Sequence, residues 1–136
     1  MCAALAQPRR VHLLDLAKGL IDVRELVRTA AAGAGLPPAR VAEVVLATHE
    51  VAMNALTHGR GRGAVRVWQE NDELVCEVED RGPGIADPDA GVDPPDPGNP
   101  RGRGLWIARQ LCQALEIESA EPGARVRLHV QLDGES

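Results

Sequence analysis

Three short segments carry the residue types that could do chemistry. The first is Glu50-Val51-Ala52-Met53-Asn54, the second Asp80-Arg81-Gly82-Pro83-Gly84-Ile85, the third Arg101-Gly102-Arg103-Gly104-Leu105. Phosphoryl transfer needs a metal, a way to position phosphates and a group that handles the nucleophile's proton. Asn54 offers a neutral oxygen suited to magnesium, a hard ion that keeps several waters and takes few protein ligands. Glu50, one turn earlier, could take a proton from water or a hydroxyl. Asp80 could accept a hydrogen bond from an exocyclic amine such as that of adenine. Gly82 and Gly84 allow a ligand to approach the backbone closely. Gly102 and Gly104 leave backbone N–H groups free at the start of a helix, where the dipole favours a phosphate. Each segment alone is weak, because ExxxN on a helix is usually a solvated face and DxGxG is usually a turn. Their joint occurrence, in order and at domain-scale spacing, is what gives the pattern weight.

The elements that must position these groups follow from periodicity. Val11 to Leu16 reads as a short strand and Leu20 to Ala34 as a helix, ended by Gly33 and Gly35. Pro37-Pro38 starts a second helix, expected from about Pro38 to about His58. Its stripe Val41, Val45, Thr48, Ala52 and Leu56 should face the core; Glu43, Ala47, Glu50, Asn54 and His58 form another face, with Glu50 and Asn54 as neighbours. Ala64 to Glu70 and Glu73 to Asp80 read as a hairpin around Asn71-Asp72. Leu74, Cys76 and Val78 alternate onto one side, and Asp80 is next on that side. A carboxylate on the core side of a strand is costly unless something pairs with it, so Asp80 reads as a ligand contact. Gly104 to Leu115 is expected to be a third helix, with Leu105, Ala108, Leu111, Cys112 and Leu115 inward. Residues 115–119 and Arg125 to Leu132 read as strands around a turn at Glu121-Pro122-Gly123.

Twelve of the 24 residues from 81 to 104 are Gly or Pro. So long a loop in a small domain is expected to be functional, and residues 81–103 read as a lid. The expected organisation is a loose tail at 1–10 and a single domain at 11–136. Its class is α+β: a two-layer sandwich with a mostly antiparallel sheet, helices on one face, and the lid between the second hairpin strand and the third helix.

Composition narrows the function classes. The 136 residues carry a net charge of −5, which argues against a nucleic-acid surface. Cys2, Cys76 and Cys112 form no CxxC pair and no disulfide framework. His12, His49 and His129 lack ligand partners in the sequence, so no transition-metal site is expected. Without a signal segment or a run near 18 apolar residues, the expected location is the cytoplasm, away from membranes.

The three segments resemble the N, G1 and G2 boxes of the GHKL superfamily of ATP-binding proteins, and the likeness spans roughly residues 11–132. The resemblance implies a Bergerat-type ATP-binding fold with ATP and Mg2+ as cofactors. Glu50 would be the catalytic base and Asn54 the magnesium ligand. Asp80 would contact adenine, with Gly82, Gly84 and Ile85 bordering the base. Arg101, Gly102, Arg103, Gly104 and Leu105 would line the phosphates. The small size and the His58-Gly59 after the first box look most like bacterial anti-sigma regulatory factors. That resemblance implies a serine/threonine protein kinase that binds a sigma factor and phosphorylates an antagonist protein, commonly as a homodimer, with no direct contact to nucleic acid. Histidine kinases usually carry a non-acidic residue where Glu50 stands, and they need a helical hairpin for which 49 preceding residues are too few. Two alternatives stay open: a non-catalytic nucleotide-binding module that sequesters a partner, and the detached ATPase domain of a sensor histidine kinase. Relatives often have Gly-Thr before the last strand. Here Gly123-Ala124 lacks the hydroxyl that would lie near adenine.

Overall fold

The computed structural model describes residues 11–58, 62–81, 103–119 and 123–132. The expected tail at 1–10 and nearly all of the expected lid lie outside them. Strand β1 (Val11–Asp15) leads through a 3-10 turn into helix α1 (Leu20–Gly33), followed by α2 (Pro38–His58). The hairpin β2 (Gly63–Glu70) and β3 (Glu73–Asp80) comes next, then α3 (Arg103–Leu111), β4 (Ala114–Ser119) and β5 (Ala124–Gln131). The strands form one sheet in the order β1-β2-β3-β5-β4, and every adjacent pair is antiparallel. This is the expected α+β two-layer fold, with the helices on one face, consistent with a Bergerat-type GHKL domain.

Local chemistry sets the boundaries. The Asp15 carboxylate accepts from the Ala17 N–H at 2.8 Å and starts the 3-10 turn. Helix α1 runs through Gly33 and stops because Gly35 adopts a φ of 95°. The Gly35 N–H donates to the Ala32 carbonyl and the Leu36 N–H to the Ala31 carbonyl, a Schellman closure that buries Leu36. In α2 the Pro37 carbonyl accepts from the Val41 N–H and Pro38 occupies the first helical position, where its missing N–H costs nothing. Asn71, at φ 53°, makes the two-residue hairpin turn.

The third helix is shorter than expected. It ends at Leu111 rather than Leu115, and Leu115 is a buried residue of β4. Three hydrogen bonds take the chain out of the helix. The Arg40 guanidinium of α2 donates to the Leu111 carbonyl and to Gln113 Oε1, and the Gln113 N–H donates to the His129 carbonyl of β5. The α-helical ladder loses its next bonds to these partners, and the sheet takes over.

Helix α2 is the spine of the helical layer, packed between α1 and α3 and over β3 and β5. Its buried arc is wider than a single stripe. Ala47, placed by periodicity with the polar residues, is buried together with Val44, Val51 and Ala55. The extra width exists because α3 covers that flank as α1 covers the other. Facing them, Val65, Val67, Leu74, Cys76, Val78, Leu128 and Val130 complete the core. Burial pushes the Cys76 thiol up to about 12, so it behaves as a small hydrophobe.

The far face of the sheet is a charged lattice. Glu77 is 4% exposed, yet accepts from Arg66 at 3.1 Å and from Arg127 at 2.8 Å on the two flanking strands. Arg66 also donates to Glu79 at 3.0 Å; Glu79 first and then Glu77 raise the Arg66 pKa, and Glu77 raises that of Arg127. His129 sits between Glu73 Oε1 at 3.0 Å and Glu116 Oε1 at 2.8 Å. Trp68, on this face too, is buried and donates its Nε1–H to Glu70 at 2.8 Å. Among the described residues, no helix is long and apolar enough to cross a membrane.

Candidate functional site

The carboxylate at the end of β3 and the amide on α2 meet at one recess. Val51, Asn54 and Ala55 of α2, Val78 and Asp80 of β3, and Ala124 and Val126 of β5 line it. Antiparallel register explains the meeting. Asp80 is the last residue of β3, paired with Gly63 on one side and Ala124 on the other, so its side chain follows Leu74, Cys76 and Val78 onto the helix-facing side. It is 7% exposed. The recess thus offers apolar walls and one deep carboxylate. It is small, about 20 Å3 in volume, and its carboxylate is of the kind that accepts from an exocyclic amine.

Helix geometry puts Glu50 one turn before Asn54, and both are half-buried. The start of α3 lies against Glu50. A methyl group on Gly104 would stand 3.1 Å from Glu50 Oε1 and 3.3 Å from the Glu50 carbonyl oxygen. The first and third sequence segments, more than 50 residues apart, are therefore in van der Waals contact. Gly104 permits it by having no side chain. Leu105, the next residue, is 1% exposed and its side chain belongs to the core. What it could give a phosphate is its backbone N–H.

The described residues thus bring together Glu50, Asn54, Asp80 and Gly104. Gly82, Gly84, Ile85, Arg101 and Gly102 lie outside the described residues, and of Arg103 the structure describes the backbone alone, as the first residue of α3. The chemistry of the set fits a magnesium nucleotide. Asn54 is a single neutral oxygen donor, and among the described residues no group of three or more His, Cys, Asp or Glu could hold a metal ion by itself. A magnesium ion here would draw its other ligands from phosphates and water.

Sequence reasoning missed two parts of the site. Gly123 has a φ of 93°, and a Cβ on it would fall 1.7 Å from the Asp80 carbonyl oxygen. The glycine lets the loop before β5 press against the backbone of the recess carboxylate. The Pro122-Gly123 turn signal marked the position, but only the β3–β5 register shows what it approaches. The apolar walls were also missed as site residues, because Val78 and Val126 read as ordinary core positions and Val51 and Ala55 fall on neither of the two faces read for the second helix. Ala124, noted in the sequence for its missing hydroxyl, does line the recess, and its methyl is 2% exposed.

A second and larger hollow opens between α1 and α2, about 560 Å3 in volume. Glu50 lines it as well, with Arg24 and Arg28 of α1 and His49 beside it on α2.

No curated protein matches the chain significantly. Residues 15–130, which contain every part of the site just described, match the sequence profile of the histidine kinase-like ATPase domain. That match extends over most of the 136 residues, and the chain belongs to this family of GHKL ATP-binding domains.

Proposed function

We propose that this domain is an ATP- and Mg2+-dependent serine/threonine protein kinase that acts as an anti-sigma regulatory factor in the cytoplasm. It would bind a sigma factor and phosphorylate an antagonist protein. The observation that carries the reading is an acidic side chain, Glu50, one turn from Asn54 and backed by Gly104 at the start of α3. ATP supplies the phosphoryl group when bound. Asp80 and the apolar recess would orient the base, and Asn54 would serve as a ligand to the metal. Glu50 accepts the proton of the acceptor hydroxyl as its oxygen bonds to phosphorus, the part a general base plays in such a transfer.

The test is transfer from labelled ATP to the cognate antagonist. Wild type should transfer, and Glu50→Ala should keep nucleotide binding and lose transfer. Undiminished transfer by Glu50→Ala would sink the role of Glu50. One observation favours a second reading, a non-catalytic module that sequesters its partner: Ala124 lines the recess and brings no hydroxyl to it. Calorimetry separates the two, since absence of heat and of a thermal shift with ATP and Mg2+ would reject the kinase.

A further inference from the structure

The hollow between α1 and α2 is continuous with the site through Glu50, and the nucleotide recess does not account for it. Its floor is apolar: Leu36, Val41 and Val45, with Leu46 on its rim 44% exposed. Its charged lining runs against the balance of the chain. The protein carries a net −5, yet Arg24 and Arg28 stand along one wall of the hollow. Arg28 pairs with Glu25 on the surface. Arg24 makes no hydrogen bond or ion pair among the described residues. His49, next to Glu50, has a buried Nδ1 with no hydrogen-bond partner among them. The groove and the recess succeed one another along α2: the groove takes residues 38 to 50, the recess residues 51 to 55. Glu50 and Asn54 stand at the junction.

From this arrangement we infer that the α1–α2 groove holds the acceptor segment of the protein substrate. That occupant is a stretch with apolar residues for the floor and a carboxylate for Arg24, which brings its serine or threonine hydroxyl to Glu50. The inference deepens the kinase reading and rests on it for the reaction, though not for the binding. In-line displacement needs donor and acceptor on opposite sides of the transferred phosphorus. A groove on one side of Glu50 and a nucleotide recess on the other meet that requirement with a single helix as the common wall. The balance is simple. The acceptor oxygen forms its bond to the γ-phosphorus as the bond to the β–γ bridging oxygen breaks. The hydroxyl proton passes to Glu50, and the electron pair of the broken bond leaves with ADP.

The charge argument fixes the chemistry of the partner. Arg24, without a partner among the described residues and beside an apolar floor, gains more from a carboxylate than from water, because the groove excludes part of the solvent. A basic segment would meet the Arg24 guanidinium instead and be repelled.

The probe is a set of fluorescein-labelled peptides of about 15 residues, enough to span one groove. Each has a central serine between apolar residues and carries either Glu or Lys at the flanking positions. Binding is read by fluorescence polarisation with a non-hydrolysable ATP analogue and Mg2+ present. The Glu series should bind about tenfold or more tightly than the Lys series. Two variants test the place. Ala42→Trp fills the groove from an exposed position, and Arg24→Glu reverses its charge. Both should weaken the Glu series about tenfold while leaving affinity for the ATP analogue within about twofold, and Arg24→Glu should narrow the Glu–Lys difference. Equal binding of the two series, or binding that Ala42→Trp leaves unchanged, overturns the inference. Labelled-ATP assays with the same peptides keep the two proposals apart. Peptides that occupy the groove without being phosphorylated reject the kinase and leave the docking. Phosphorylation at wild-type rate by Ala42→Trp rejects the docking and leaves the kinase.

Discussion

Gly104→Ala is a sensitive probe of the contact between α3 and the proposed base. Helix propensity alone favours alanine over glycine by up to about 1 kcal/mol. The structure argues the other way. The new methyl would lie 3.1 Å from Glu50 Oε1 and 3.3 Å from the Glu50 carbonyl oxygen, with Glu50 Cβ at 3.5 Å. The carbonyl belongs to α2, which is fixed between two helices and the sheet, so it cannot retreat. The carboxylate can, by a few tenths of an ångström, and α3 must shift for the rest. Overpacking of this kind costs about 1–3 kcal/mol, which offsets the propensity gain and leaves a net loss of about 1 kcal/mol. In a Glu50→Ala background the carboxylate contact disappears and the same methyl should cost less or stabilise. The assay is urea unfolding of the four proteins of this double-mutant cycle. The expected coupling is about 1 kcal/mol, beyond the few tenths by which independent sites depart from additivity. Additive effects, or a Gly104→Ala protein stabilised by the full propensity gain, would refute the reasoning. In the transfer assay the same change should slow turnover about tenfold, since small misplacements of a reacting group are expensive, with ATP affinity held within about twofold.

Other outcomes follow from the remaining contacts. Gly123→Ala combines a φ of 93° with a methyl 1.7 Å from the Asp80 carbonyl, so it should cost about 3 kcal/mol or more in denaturant titration and weaken ATP-analogue binding; a loss under about 1 kcal/mol would show the loop to be adaptable. Glu77→Ala strips the partner from Arg127 and leaves Arg66 held by Glu79 at 3.0 Å; both guanidiniums are about one-third exposed and can hydrate, so the expected loss is about 1 kcal/mol, and no measurable change would contradict the lattice. Burial lowers the His129 pKa, but its hydrogen bonds to Glu116 and Glu73 outweigh burial and raise it above 6.5. Its contribution is therefore full below that value and fades as pH rises through the folded-state pKa; His129→Gln should flatten this fall in a pH series of unfolding curves, and an unaltered slope would remove the role. Cys76, fully buried with its thiol raised to about 12, should resist thiol reagents in native protein from which Cys2 and Cys112 have been replaced by serine; labelling at the unfolded rate would contradict the packing.

Periodicity and punctuation made most of the elements legible. The second helix was readable to both ends because Pro38 and Gly59 bracket an uninterrupted 3.6-residue pattern. The β2–β3 hairpin was readable because Asn71-Asp72 separates two alternating runs. Local spacing alone makes the third helix too long, since Cys112 and Leu115 continue its apolar pattern. What stops it is a guanidinium 71 residues earlier and a carbonyl on β5, which no local pattern can encode. Ala47 was put on the polar face for a like reason: a helix covered on two flanks buries more than one stripe, and α3 is distant in sequence.

The site divides along the same line. The sequence alone determined that Glu50 and Asn54 share a helical face, because 3.6 residues per turn leaves no other arrangement. It determined that Asp80 follows Leu74, Cys76 and Val78 to the core side, because strands alternate. Tertiary structure decided the rest. Strand register set Ala124 and Val126 beside Asp80. Close packing set Gly104 against Glu50. The crossing of α1 over α2 opened a groove whose arginines no motif announced. Spacing along a chain fixes neighbours within one element; which elements then touch, and how closely, depends on burial and steric fit summed over the whole core.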